Sequence, residues 1–397
     1  MDEIIRVLFE YLGKVQGFIY PNEIELHWSI LIVLYPFITG LVAGAFILAS
    51  LERVFNVKEV KPTYRLALLT ALAFLLIAPM PLNIHLGHPE RALEILFTPH
   101  LSSAMAIFGF VYIWYLMVVL VVEIWLDYRK DIVILAQSEK GIKKYIYQAM
   151  ALWSYNISPE ALELDDKIGK FVTIIGVPSA FLLHGYVGFI FGSIKANPWW
   201  SSPLMPVIFI FSAMVSGIAL VMLIYMIVSW LRKVVIDMNC LDTIGRYLLY
   251  AFIIDFSLET LDLIHRFYES NEAFGALAML MSGKLHISLL IVQIALGTLV
   301  PITLLSIIQL IKVKPEIRKP MYFSAGMLTL IGIFAMRWNV VIGGQLFSKS
   351  FRGFTTYKLE LIGKEGLMTA AALIILPVII LAVLIYLFPP FAKETGE

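Results

Sequence analysis

The sequence holds one cysteine, Cys240, in 397 residues. That excludes an intrachain disulfide, and it excludes an iron–sulfur cluster ligated by this chain, which takes about four thiolates. Charge is scarce as well. Asp, Glu, Lys and Arg make up 15% of the residues, against roughly 25% in soluble domains. The 30 Lys and Arg nearly balance the 29 Asp and Glu, for a net charge of +1, so no nucleic-acid partner is implied. There is no P-loop, no GxGxxG after a strand, no HExxH and no CxxC. The signatures of soluble nucleotide and zinc sites are therefore missing.

Apolar residues are what the chain has. They reach 60%, and the mean hydropathy is +0.86. A helix crossing the hydrocarbon core needs about 20 mostly apolar residues, and nine runs qualify: 27–50, 64–83, 102–126, 168–191, 204–230, 244–268, 285–311, 319–341 and 367–389. They are long and continuous, unlike the short alternating strands of an outer-membrane barrel. The fold class is an all-α integral membrane protein of about nine transmembrane helices, within a range of eight to ten. Residues 1–26 mix Asp2, Glu3, Arg6, Glu10 and Lys14 with Ile4, Ile5, Leu8, Phe9 and Leu12. That pattern suits an amphipathic helix on the membrane surface rather than a cleavable signal. Lys and Arg are concentrated in alternate loops, most clearly in 127–170, and this bias places the N-terminus outside and the C-terminus in the cytoplasm.

Ionisable residues within spans are costly, and each is a functional candidate by default. With that orientation all seven histidines fall at the outer side, among them His27, His85, His88, His184, His265 and His286. The inner ends show no comparable cluster. An electron path across the bilayer on two haems would need histidine pairs at two depths, which leaves at most one outer haem, for instance between His184 and His286. The sixth run has the sharpest pattern. Asp255, Glu259, Asp262 and Arg266 are spaced four, three and four residues apart, so they fall within about 60° of one helix face. Three carboxylates on one stripe need cations, for which Arg266 and Arg337 are candidates, or at least one stays protonated. Either a proton relay or a structural ion-pair network fits. In the fourth run His184 and Tyr186 are two apart and point to nearly opposite faces. Gly40, Ala43 and Gly44 form a small-residue pattern for close helix contact. Trp199 and Trp200 read as interfacial anchors.

Several stretches carry a resemblance. Pro81-Leu82-Asn83-Ile84-His85-Leu86-Gly87-His88-Pro89-Glu90-Arg91, then Pro99-His100-Leu101-Ser102-Ser103-Ala104-Met105, resemble the (D/H)LGxPxR and PxSxM loop of the NrfD/PsrC family of quinone-interacting membrane subunits. Asn197-Pro198-Trp199-Trp200-Ser201-Ser202-Pro203-Leu204 and Arg337-Trp338-Asn339-Val340-Val341-Ile342-Gly343-Gly344-Gln345 are similar to further family stretches, the last to the longer members. Within the family the chain most resembles the DsrP type, found in DsrMKJOP complexes of sulfate reducers, or its relative in the Hdr-like menaquinol-oxidising complex. The resemblance covers about residues 27–345.

The resemblance implies two four-helix bundles with a ninth helix appended. The divisions are an amphipathic segment 1–26, a first bundle 27–191 with a cytoplasmic excursion 127–167, a second bundle 192–341, and 342–397 for the outer loop, last helix and tail. It implies menaquinone or menaquinol near the outer face and no haem, metal or cluster in this subunit. It also implies an outer ferredoxin-like iron–sulfur subunit among the partners of a DsrMKJOP-like complex, which includes cytochrome and cytoplasmic subunits. The family's quinone-contacting histidine and tyrosine map onto His27 and Tyr186. His85 and Arg91, in the loop motif, and His184 complete the candidate contacts. Many members carry Asp where this chain has His85. The function expected is a quinol or quinone oxidoreductase subunit, active only within its complex and serving dissimilatory sulfur metabolism. The alternative is a secondary transporter or proton-conducting anchor without quinone chemistry, using the charges of the sixth run.

Overall fold

The computed structural model describes residues 26, 28–98, 100, 102–269, 274–346 and 354–391. The expectations for His27 and for the amphipathic segment before residue 26 lie outside the described residues. Nine long helices follow one another: α1 Ile30–Arg53, α2 Lys58–His85, α3 Ala104–Ser138, α4 Pro159–Gly192, α5 Met205–Arg232, α6 Met238–Glu269, α7 His286–Leu310, α8 Pro315–Val341 and α9 Leu367–Leu387. Eight of them, all but α6, are long and apolar enough to cross a membrane by composition alone. The charged stripe of α6 sets it apart. No β-strand occurs among the described residues. In hydrocarbon every backbone N–H and C=O must be satisfied within the segment, which is why an apolar chain of this length resolves into helices. The chain is a multi-pass helical membrane protein, with about nine long helices among the described residues, in line with its apolar runs.

Helix α1 is the axis of the molecule. Ser29 caps it, its hydroxyl accepting from Leu31 N at 3.3 Å, and every residue from Ile30 to Ser50 is buried. A helix apolar all round and buried all round belongs at a bundle centre. Its largest contact is with α5, at a crossing made by glycine. A Cβ on Gly44 would stand 2.1 Å from Ala213 O, and one on Gly217 would stand 2.4 Å from Gly44 Cα. A second such crossing joins α7 to α8, where a Cβ on Gly297 would stand 2.2 Å from Gly332 Cα. Without a hydrophobic drive between helices in lipid, this close backbone approach is what holds them. Helices α2 and α4 also pack on α1, α6 and α8 pack on α5, and α9 packs on α2.

Two departures from regular winding bear on the site. Tyr115–Leu120 within α3 and His286–Leu299 at the start of α7 are π-helical, a form that often marks functional positions. The excursion 127–167 is mostly helix. α3 continues to Ser138, a short helix spans Ile142–Met150, and α4 begins at Pro159 with Ser158 as its cap.

Candidate functional site

A buried polar line crosses the middle of the molecule from α1 to α8. His184 on α4 is fully buried. Its Nε2 receives a hydrogen bond from Arg337 Nη2 at 3.0 Å, and its Nδ1 lies 3.3 Å from Thr39 Oγ1 on α1. Arginine only donates, so Nε2 is the bare nitrogen and Nδ1 carries the hydrogen, donating to Thr39. The Thr39 hydroxyl donates onward to Tyr35 O at 2.9 Å. Arg337, also fully buried, donates to Ser212 Oγ on α5 at 2.7 Å and lies over the ring of Phe209 at 4.0 Å. Gly40 makes room for the imidazole, since a Cβ there would approach His184 Cε1 to 3.2 Å. Both ring nitrogens of His184 are thus engaged, and it offers no free axial position for a haem shared with His286.

The α6 stripe lies beside this line. Arg337 does not form the direct ion pair with the carboxylates that the sequence suggested. Its Nη atoms go to His184, Ser212 and Met336 Sδ, and its attraction to Asp255 and Glu259 acts across space. Geometry decides this, because Arg337 projects toward α4 and α5. Asp255 is buried, and its Oδ1 lacks a hydrogen-bond partner among the described residues. Glu259 ends a chain of donors: Ser288 to Asn339 at 2.6 Å, Asn339 to Gln293 at 2.7 Å, and Gln293 to Glu259 at 3.1 Å. The π-wound start of α7 supplies Ser288 and Gln293 to this chain. Asp262 pairs with Arg266 (Nε to Oδ2, 2.7 Å) and accepts from the Ser202 hydroxyl. Glu259, Asp262, Arg266, Gln293 and Asn339 line a cavity of about 90 Å³ among α5, α6, α7 and α8. Most of its wall is apolar, these side chains supply its polar side, and it is large enough for a few waters.

At the end where α1 starts, the chain entering α1 is pinned on both sides. Leu26 N donates to Thr356 O at 3.2 Å, and Trp28 stacks on Trp200 at 5.8 Å. Tyr35 is buried against Phe108 of α3, with Tyr186 of α4 nearby, and its hydroxyl has no hydrogen-bond partner among the described residues. Tyr186 is only partly covered and stacks on Phe189 at 5.8 Å. It points away from buried His184, as a spacing of two requires. His85 Nδ1 bonds Glu365 Oε2 at 2.8 Å. Arg91 is exposed and spends its guanidinium on Glu94 at 3.0 and 2.8 Å. That bond holds the Glu94 carboxyl below its ordinary value. His85 and Arg91 therefore do not converge with His184. Trp199 and Trp200 are not interfacial anchors. Both are buried, and their indoles donate to Asn339 O at 2.8 Å and Val340 O at 2.6 Å, clamping the 197–203 loop to the end of α8.

The opposite end is not bare, contrary to the sequence reading. Glu123 of α3 is fully buried. Its Oε1 accepts from Tyr64 at 3.1 Å and Thr173 at 2.7 Å, and its Oε2 has no partner among the described residues. Arg53 donates to Tyr64 at 3.1 Å and pairs with Asp127 at 3.4 Å, and Arg65 bridges Asp127 and Asp131 at 2.8 Å each. Arg53, Arg65 and Asp127 line two open clefts of about 850 and 410 Å³. The signal in the sequence is Glu123 with Asp127 four residues on, which share a helix face. Tyr35 is the other residue that sequence reasoning passed over. A tyrosine two turns into an otherwise apolar run is its only mark. Among the described residues no group of three His, Cys, Asp or Glu could hold a metal ion.

These features define a class: a polytopic helical membrane protein whose chemistry-bearing side chains sit on a polar line buried among α1, α4, α5, α6 and α8. The chain belongs to the NrfD family, described as polysulphide reductase NrfD, which matches residues 21–349. It is 31% identical over 323 residues to a selenate reductase subunit from Mesobacillus selenatarsenatis, covering 79% of this chain and 73% of that protein. It is 26% identical over 202 residues to protein NrfD of Escherichia coli, covering 50% of this chain and 59% of that one. The match therefore spans less than two thirds of the latter.

Proposed function

We propose that this chain is the quinone-reactive membrane subunit of a multi-subunit oxidoreductase, exchanging electrons with an iron–sulfur subunit docked on the end where α1 starts. The observation that carries it is the Tyr35 hydroxyl, buried without a partner among α1, α3 and α4 and close to Tyr186. A buried hydroxyl left unpaired costs about 1–3 kcal/mol, and a quinone carbonyl at this site satisfies it. Menaquinol brings the electrons and protons. The chain's own part is to hold the headgroup through His27, Tyr35 and Tyr186 and to receive protons at the His27 imidazole, whose ordinary range suits that exchange. His184 orients the pocket from behind through Thr39, which bonds the backbone of Tyr35.

We place this end outside the membrane, on the loop-charge bias, with the partner over loops 84–101 and 192–203. Within the stripe, Asp255 and Glu259, with the small cavity and Arg337 beside them and Asp262 tied to Arg266 as their support, are assigned to proton handling, as a half-channel rather than a full path. The motif at Arg337–Gln345 supports the DsrP type within the family, and so a DsrMKJOP-like complex in sulfur metabolism. The resemblance of most of the chain to the selenate reductase protein supports a terminal reductase as the other electron partner. Isolation of the complex tests all of this. Co-purified quinone together with quinol-dependent reduction of an iron–sulfur partner supports the reading. Solute uptake by the reconstituted chain, with no bound quinone, overturns it. Mass spectrometry of the co-purified proteins decides between the two complexes.

A further inference from the structure

The short helix Ile142–Met150 and the turn after it have an exposed apolar face that the quinone chemistry does not use. Ile142, Tyr145 and Ile146 line one side of the helix and are exposed. Leu152 and Trp153 follow at 60% and 83% exposure, and both adopt left-handed backbone, φ 48° and 57°. Two successive bulky residues in that region are rare and strained. The strain is held by bonds on either side. Trp125 Nε1 donates to Met150 O at 2.8 Å, and Arg129 donates to Ser154 Oγ at 3.2 Å and to Asn156 O.

Those bonds fix the depth of the segment. Residues 104–122 of α3 carry no charge, and as helix they rise about 28 Å, close to the ~30 Å hydrocarbon core. Trp125 lies within one turn beyond that stretch, so Met150–Trp153 is tied to the edge of the core. The helix is held in the same layer from its other side. Tyr147 donates to Leu387 O at 2.6 Å, at the last turn of α9, and Lys143 Nζ lies 4.3 Å from the Tyr386 ring centroid. α9 has an exposed apolar face, with Val378, Ile379 and Val383, as a helix against lipid has, and the exposed Leu152 and Trp153 are apolar in the same way. Lys140 and Lys144 are at the start of the short helix, placed for phosphate headgroups, and tryptophan prefers this interface.

We propose that residues 142–153 form a membrane-surface anchor, with Leu152 and Trp153 inserted at the headgroup–acyl boundary of the bilayer. The anchor fixes the chain's depth at the end opposite the histidines and goes beyond the quinone reading. The test is a Leu152→Cys variant of the full-length chain, labelled with an environment-sensitive fluorophore while Cys240 stays buried. It is reconstituted in vesicles of phosphatidylethanolamine and phosphatidylglycerol. Lipids with a nitroxide near the headgroup should quench the label several-fold more than lipids with one near the chain end, and aqueous iodide should quench it weakly. Adding Trp153→Asp should weaken quenching by the lipids and strengthen quenching by iodide, with helicity and melting unchanged. Iodide quenching equal to that of free dye, with none from either lipid, overturns the proposal. Protection from iodide that appears only when co-purified proteins are added also overturns it, because a protein then covers the face.

Discussion

Arg337 on α8 donates a 3.0 Å hydrogen bond to Nε2 of His184 on α4, and neither residue has any exposure. This bond joins the two ends of the polar line, because His184 reaches α1 through Thr39 and Arg337 reaches α5 through Ser212. Removing the acceptor leaves one buried guanidinium N–H unpaired, while the same Nη2 keeps its bond to Ser212. His184→Ala should therefore lower stability by about 1–3 kcal/mol, read as a lower melting temperature of the detergent-purified protein. His184→Gln can offer an amide oxygen and should recover most of the loss. Equal melting of all three proteins would remove the bond from the fold's support.

The α1–α5 crossing gives a sharper mechanical prediction. Gly44→Val should fail to accumulate as folded protein, since a Cβ would sit 2.1 Å from the Ala213 carbonyl oxygen and overpacking costs about 1–3 kcal/mol or more. Gly87→Ala, with nothing within 4 Å of the added carbon, should leave stability within about 0.5 kcal/mol of the parent. Membrane expression and melting of the two variants compare a closed crossing with an open loop.

The helices were legible because lipid leaves an apolar chain few choices, and even α6 stood out once its four charges fell on one face. Gly40 and Gly44 were legible as a packing pattern, though not their partners Ala213 and Gly217. The site was legible residue by residue but not as a constellation. His184 and Arg337 are 153 positions apart, and only the packing of α4, α5 and α8 reveals that they meet. Trp199 and Trp200 misled because tryptophan favours interfaces, whereas here the loop folds back onto the end of α8 and carbonyls there accept both indoles. Glu123 was hidden by its place at the end of an apolar run, where a carboxylate normally reaches water.

For the quinone pocket, Tyr35→Phe and His27→Ala should separate two roles. Tyr35→Phe removes one hydroxyl that the protein itself leaves unpaired. It should raise the quinol KM several-fold with folding unchanged, since only the ligand loses a partner. His27→Ala should abolish quinol oxidation while the complex still assembles, because it removes the proposed proton acceptor. Normal turnover in His27→Ala would take that residue out of the mechanism. An unchanged KM in Tyr35→Phe would place the headgroup elsewhere.

The α6 stripe separates a relay from a scaffold. Asp262 is already committed to Arg266 and Ser202, so it is the structural member, and Asp262→Asn should cost stability first. Asp255 and Glu259 differ from it. One has an oxygen without a partner, and the other closes a donor chain at a cavity of about 90 Å³. A relay needs groups that gain and lose protons without unfolding the helix, and in the proposed relay these two take that part. Burying a further ionisable group would cost roughly 2.5–3.5 kcal/mol on insertion scales, so water in the cavity is the less costly continuation. Asp255→Asn and Glu259→Gln keep size and hydrogen bonding while fixing the charge at zero. In proteoliposomes each should slow quinol-coupled proton movement at least tenfold, with a smaller effect on electron transfer measured under uncoupled conditions. If both variants keep full quinol activity and unchanged proton release, the stripe is an ion-pair scaffold and the relay assignment fails.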